Sequence, residues 1–293
     1  MRRKLVLGLG AVTLVIAIGI GVLAYLVFHV TEGAYFDSNG VRVHYTEDGQ
    51  GEPVILIHGI AANSDLNWRR PGVIRALARD FRVIAIDLRG HGRSAQPLEP
   101  EEYGTEMAED VVRLMDHLGI EKAQVAGYSL GGFVLLKLVT MHPDRITSAA
   151  FCAAGWKNPE DPSPIPNPYT PPSAAAVRVV QYASAGPEPR TLFNRVRSWV
   201  GDHIGNKAAR KALKKSYPQL AVSRAELERI QTPGIDLIGS SDGFLPLAKD
   251  LEKNLPAIKL VMFDGANHFT LPFYPSFKKA LRNFLMEHRT AGQ

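Results

Sequence analysis

Ala123-Gln124-Val125-Ala126-Gly127-Tyr128-Ser129-Leu130-Gly131-Gly132-Phe133-Val134 decides how this chain folds. Ala123–Ala126 is a short apolar run of the kind found in strands buried on both faces. From residue 130 to 141 the pattern is helical, so Ser129 stands at a strand-to-helix junction. Gly-x-Ser-x-Gly in that setting is the sharp turn that lifts a serine oxygen above the edge of a sheet. Small residues two before and two after the serine let neighbouring backbone approach. The following helix presents its N-terminus to the serine, where a developing negative charge is favoured.

Outward from this turn the same alternation recurs. Apolar runs at Pro53–Ile57, Arg82–Ile86, Ile146–Cys152, Ile235–Ile238 and Ile258–Phe263 predict buried strands. Helical patterns separate them at about 66–79, 105–118, 246–254 and 274–288. Alternating strands and helices predict a parallel sheet with helices on both faces. Ahead of them, Tyr35 to Tyr45 is two alternating runs joined at Asn39-Gly40, which predicts an antiparallel hairpin.

The alternation fails over residues 155–231. Lys157 to Pro172 holds seven prolines and reads as an extended linker. Helical stretches follow near 174–184, 190–202, 207–217 and 223–231, the last opened by the capping box Ser223-Arg224-Ala225-Glu226. This block is expected to be a helical cap inserted between a first core segment, 31–154, and a second, 232–293. Its apolar residues, including Val177, Val180, Leu192, Val196, Trp199 and Val200, are expected to cover the mouth of the site. Trp156 and Trp68 are candidates for lining the same cavity.

A serine becomes a competent nucleophile only when a base takes its proton, and that base needs a carboxylate to orient it. Where the serine stands on such a turn, acid and then histidine follow in chain order. Of the downstream histidines, His142 ends the elbow helix, His203 is in the cap and His288 is near the chain end. His268 alone lies in a loop directly after a strand, where open α/β sheets place their sites. Asp242, in Gly239-Ser240-Ser241-Asp242-Gly243 after the preceding strand, is the expected acid, with Asp264 as the fallback. An oxyanion needs backbone N–H donors. Leu130 N–H, next after the serine, is one, and Ile60 N–H in His58-Gly59-Ile60-Ala61 is the other. His58 precedes the serine and is expected to orient its loop.

These segments, with Asp87-Leu88-Arg89-Gly90-His91-Gly92-Arg93-Ser94 and Asn267-His268-Phe269, resemble the α/β-hydrolase superfamily in order and spacing over roughly 33–290. The resemblance implies an eight-stranded, mostly parallel sheet with an antiparallel second strand, and no cofactor. It implies that residues 87–94 form a structural loop near the site. One departure is Asn267, where glycine commonly precedes the histidine. Ser129 argues against haloalkane dehalogenases and epoxide hydrolases, which use an aspartate nucleophile. Esterases, lipases, thioesterases, amidases, carbon–carbon bond hydrolases and perhydrolases remain. Cleavage of a hydrophobic or lipid-derived carboxylic ester is the leading expectation. Carbon–carbon or amide hydrolysis by the same residues stands second, and a non-hydrolytic small-molecule receptor third.

Leu5 to Val30 is an apolar run whose only polar residues are Thr13 and His29. It exceeds the roughly 20 residues a bilayer core requires and the roughly 7–15 of a secretory signal. Arg2, Arg3 and Lys4 precede it, and no Lys or Arg follows until Arg42. The positive-inside rule places the N-terminus in the cytoplasm and the rest outside, periplasmic in a bacterium. Residues 1–30 are thus expected to be a cytoplasmic stub and transmembrane anchor.

The net charge of +5 is concentrated in those first residues and in 155–231, which holds twelve Lys/Arg against six Asp/Glu. With no nucleic-acid reading motif, the excess does not indicate a nucleic-acid partner. Lys207, Arg210, Lys211, Lys214 and Lys215 share one helix face, either as a solvated surface or as a contact for anionic lipid. The single cysteine, Cys152, excludes an internal disulfide and a cysteine metal cluster; its apolar neighbours predict burial.

Overall fold

The computed structural model describes residues 14, 18, 19, 30–172 and 206–289. The chain divides into two compact units, Met1–Glu32 and Gly33–Gln293. The expected anchor, apart from Leu14, Ile18, Gly19 and Val30, lies outside the described residues, among which no helix is long and apolar enough to cross a membrane. The expected helices near 174–184 and 190–202, with the six apolar cap residues named above, also lie outside them.

The second unit is built on one eight-stranded sheet. Its strands are β1 (Ala34–Ser38), β2 (Val41–Asp48), β3 (Pro53–Ile57), β4 (Arg82–Ile86), β5 (Ala123–Tyr128), β6 (Ile146–Cys152), β7 (Gly234–Gly239) and β8 (Ile258–Phe263). They lie in the order β1-β2-β4-β3-β5-β6-β7-β8. β2 is antiparallel to both β1 and β4, and every later pairing is parallel. The β1–β2 hairpin turns at Asn39 and Gly40, both with positive φ (56° and 83°), as a tight primed turn requires.

The helices are α1 (Val73–Leu77), α2 (Thr105–His117), α3 (Leu130–Met141), α4 (Lys207–Ser216), α5 (Arg224–Leu227), α6 (Leu245–Asn254) and α7 (Pro275–Glu287). Apolar residues of α2, α3 and α6 pack one face of the sheet. α1 and α7 cover the other through Val73, Ile74, Leu77, Phe277, Leu281 and Leu285. Strands apolar on both faces thus become the middle layer of a three-layer sandwich.

Two expected helices are shorter than their patterns. The stretch 66–79 breaks into a π-helical turn at Asp65–Arg69 and α1, because Pro71 cannot continue the hydrogen-bond ladder and Gly72 takes φ +82°. The stretch 223–231 holds only α5, whose capping box forms as expected between Ser223 and Glu226. Trp68 and Trp156 are buried in the core. Trp68 packs edge-on against Tyr128, and Trp156 Nε1 donates to Val222 O at 2.7 Å. Cys152 is buried in β6 as expected.

β6 and β7 are neighbours although residues 153–233 run between them, so that block is an insertion at this point of the sheet. Its described C-terminal part is tied to the core by Lys137, whose ammonium meets Glu226 at 3.0 Å, and by Trp156.

Candidate active site

The elbow is held by three absent side chains. A Cβ at Gly127 would lie 2.2 Å from Gly131 O, one at Gly131 would lie 2.3 Å from Ile57 O, and one at Gly132 would lie 2.4 Å from Ala154 Cβ. This close approach holds Ser129 at φ 52°, ψ −115°, a conformation costly for any side chain. The Ser129 N–H is fixed by Cys152 O at 2.9 Å.

Three loops converge on the serine from the C-terminal ends of β5, β7 and β8. His268 Nε2 is 2.9 Å from Ser129 Oγ, and His268 Nδ1 is 2.8 Å from Asp242 Oδ2. An ionised carboxylate only accepts hydrogen bonds, so Nδ1 carries the ring proton and Nε2 is left to accept from the serine hydroxyl. The other Asp242 oxygen accepts from Phe244 N–H at 2.9 Å, which fixes the carboxylate plane. All three residues are buried: Asp242 is 0% exposed, and Ser129 and His268 are 5% exposed. Asp264, the fallback acid, is exposed and instead receives a hydrogen bond from half-buried Ser240.

The second loop facing Ser129 follows β3. A Cβ at Gly59 would stand 3.1 Å from Ser129 Cβ, so this backbone passes directly beside the serine. His58 holds it there. His58 Nε2 accepts from Leu88 N–H at 3.0 Å, which leaves the proton on Nδ1 to be donated to Gly59 O at 2.7 Å. Burial pushes the His58 pKa down, against the pull of Asp87 and the Gly59 bond, so the ring is neutral and keeps this tautomer. Asn67 Oδ1 takes the Gly59 N–H at 2.7 Å. The Ile60 and Leu130 N–H groups lie in the two segments flanking the serine, and neither meets an acceptor among the described residues.

Asp87 organises the loop behind His58. Burial alone would raise its pKa, but the His44 ring at 2.9 Å and the N–H groups of Ser64 and Arg93 outweigh that and hold it at about 2. Gly92 is required there, since a Cβ would fall 2.1 Å from the Asp87 carboxylate. Burial pushes His91 down to about 3, so it too is neutral.

Sequence reasoning missed Tyr128 and the role of Asn267. Tyr128 OH donates to His268 O at 2.7 Å and so anchors the histidine loop from the strand that carries the serine. Its position directly before the serine was the available signal. Asn267 Oδ1 accepts from the N–H groups of Phe269 and Thr270, a side-chain turn that braces the loop where glycine was the expected residue. Among the described residues, no group of three His, Cys, Asp or Glu is placed to hold a metal ion.

A profile described as alpha/beta hydrolase fold matches residues 52–182. That match covers the strands and elbow whose order has just been given. The chain has the α/β-hydrolase fold. Bifunctional epoxide hydrolase 2 of Rattus norvegicus is 37% identical over 123 residues, which is 41% of this chain but 22% of that enzyme. This chain thus spans about a fifth of that relative's length. An enzyme described as degrading N-acyl homoserine lactones shares the α/β-hydrolase fold at TM-score 0.67 and 23% identity, over 86% of this chain and 100% of its own. A meta-cleavage product hydrolase from Pseudomonas fluorescens IP01 does so at TM-score 0.68 and 21% identity, over 88% and 98%. Likeness at that identity is likeness of fold.

Proposed function

We propose that this protein is a serine hydrolase that cleaves carboxylic esters, hydrophobic or lipid-derived, through an acyl-enzyme. The observation that carries the reading is the unbroken row Ser129 Oγ–His268 Nε2 and His268 Nδ1–Asp242 Oδ2, at 2.9 and 2.8 Å. A small-molecule receptor needs no such row.

In this reading Ser129 attacks the ester carbonyl as His268 takes its proton. The oxyanion rests on the Ile60 and Leu130 N–H groups. His268 then passes the proton to the leaving alcohol, and water, activated by the same ring, releases the acid. Asp242 keeps the ring in the required tautomer and stabilises its charged form. Epoxide opening by the aspartate-nucleophile route is disfavoured despite the likeness to an epoxide hydrolase, because the elbow position is Ser129.

The decisive experiment labels detergent-solubilised protein with a fluorophosphonate. Wild type is expected to label, Ser129→Ala not at all, and His268→Ala far more slowly. Folded wild type that fails to label would remove this reading. Ester, amide and diketone panels then separate the bond classes.

The apolar run Leu5–Val30 supports membrane anchoring, with the N-terminus cytoplasmic and the catalytic unit outside. In α4, Lys207, Lys211, Lys214 and Lys215 are exposed and Arg210 half-buried, while Ala209, Ala212 and Leu213 face the core. A ridge of this kind suits anionic lipid, at about 1 kcal/mol per cation. Protease added to spheroplasts, in which the outer face of the inner membrane is accessible, should digest the catalytic unit; protection there that is lost on detergent lysis would overturn the orientation.

A further inference from the structure

His268 is enclosed by aromatic rings of two origins. Tyr128 and Phe244 come from the sheet framework, with ring centres 5.7 and 5.3 Å from the imidazole, and both are buried. Tyr169 comes from the proline-rich linker. Its ring meets the imidazole edge-on at 5.3 Å and lies flat on Phe269 at 4.5 Å, with 11° between the planes. Phe269 is 46% exposed, so among the described residues the Tyr169–Phe269 pair is the part of this box that borders solvent.

The linker is seated there by fitted backbone. Gly243 N–H, next after the acid, donates to Pro168 O at 3.1 Å. A Cβ on Gly243 would lie 1.9 Å from Asn167 O and 2.7 Å from Thr170 O, so the turn rests where only glycine leaves room. Within it, Asn167 Oδ1 accepts from Tyr169 N–H at 3.0 Å and Asn167 O from Thr170 N–H at 3.1 Å. These bonds fix the direction in which Tyr169 is presented.

We propose that Tyr169 is a specificity-determining residue: with Phe269 it forms the wall along which the leaving group of the substrate lies, and it selects flat, aryl-bearing alcohols. The argument rests on the serine-hydrolase reading and on geometry. His268 Nε2 must come within hydrogen-bond reach of the leaving oxygen to protonate it. A substituent on that oxygen therefore passes the neighbours of the imidazole. Among the described residues, Tyr128 and Phe244 occupy the buried sides of the imidazole and the Tyr169–Phe269 stack borders solvent, and there an aryl group gains edge or offset ring contacts that a short alkyl group does not.

The test compares kcat/KM for phenyl and ethyl esters of one acyl group in the full-length protein and its Tyr169→Phe, Tyr169→Ala and Gly243→Ala variants. Tyr169→Ala is expected to lower the phenyl-to-ethyl ratio by about tenfold, the worth of one aromatic pair. Tyr169→Phe should keep the ratio, and Gly243→Ala should lower it by displacing the turn. Fluorophosphonate labelling, whose fluoride leaving group is too small to reach the wall, should persist in all three. An unchanged ester ratio in Tyr169→Ala overturns the proposal. If wild type neither labels nor cleaves esters, the hydrolase reading fails. The proposal rests on that reading and falls with it, whereas labelling that persists with an unchanged ester ratio removes the proposal alone.

Discussion

Asp242 and Asp236 are two buried aspartates six residues apart with opposite fates. Asp242 has both oxygens occupied, one by the His268 ring and one by Phe244 N–H. Replacing it with Asn would place an amide N–H donor against Nδ1 and favour the tautomer that carries the ring proton on Nε2, so a fall of about 10⁴-fold in kcat is expected with little change in KM. Steady-state kinetics on any ester turned over by wild type checks this. Asp236, within β7, has no partner among the described residues for either oxygen, and burial pushes its pKa well above the ordinary carboxylate range, with Asp242 and Glu252 adding to the rise. It therefore keeps its proton when folded and loses it when unfolded. Since the unfolded chain binds fewer protons above its carboxylate range, this residue lowers stability progressively as pH rises. Asp236→Asn, which has no proton to keep, should raise Tm at about pH 8, with the gain shrinking towards pH 4. Thermal melts across that range test it, and a gain that does not vary with pH would count against the assignment.

At the scale of elements, the elbow is the least tolerant part of the fold. Gly131 faces backbone oxygens of Ile57 and His58 at 2.3 and 2.7 Å from a would-be Cβ, and rigid strand ends cannot move away as a flexible side chain can. Gly131→Ala should therefore push α3 off the end of β3 and abolish fluorophosphonate labelling at temperatures where the protein is still folded by circular dichroism. The N-cap of α4 is a gentler case. Asn206 Oδ1 accepts from Ala208 N–H at 2.9 Å, so Asn206→Ala should cost about 1 kcal/mol of local stability. Hydrogen exchange in α4 should rise while labelling of Ser129 is unaffected. The elements with period-2 or all-apolar patterns were legible in the sequence, because strands in the middle layer must be apolar on both faces. The break at Pro71-Gly72 was overlooked by a reading of periodicity alone, although proline and glycine there are themselves the local signal for it. The short α5 was not legible, because helical periodicity reports which side of a segment meets the core and not where the helix stops.

Across the whole molecule, the loop after β4 is locked to α2 and β1 by one buried cluster. Arg89 meets Asp110 with two hydrogen bonds of 2.7 and 2.5 Å and reaches Glu102 O at 2.6 Å, and Ser38 Oγ donates to Asp110. All three charged or hydroxyl groups are essentially unexposed. Removing one partner would strand a buried charge, so Asp110→Ala should cost about 3–5 kcal/mol in chemical denaturation. The double replacement by apolar residues of similar size should recover much of that loss.

The sequence by itself determined the sheet and the elbow, and it singled out Ser129, Asp242 and His268 as the proposed nucleophile, acid and base. Each of these follows from a local rule: apolar runs mark buried strands, glycines mark the tight turn, and loops after strand ends carry the acid and the base. Tertiary structure alone decided what surrounds them. Tyr128 holding His268 O, Asn67 and His58 setting the Gly59 backbone, Asp236 left without a partner and Tyr169 folded onto the imidazole are contacts between segments far apart in the chain. A local pattern reports the face a residue presents, and which distant group meets that face depends on the register of strands and the path of loops once the core has closed.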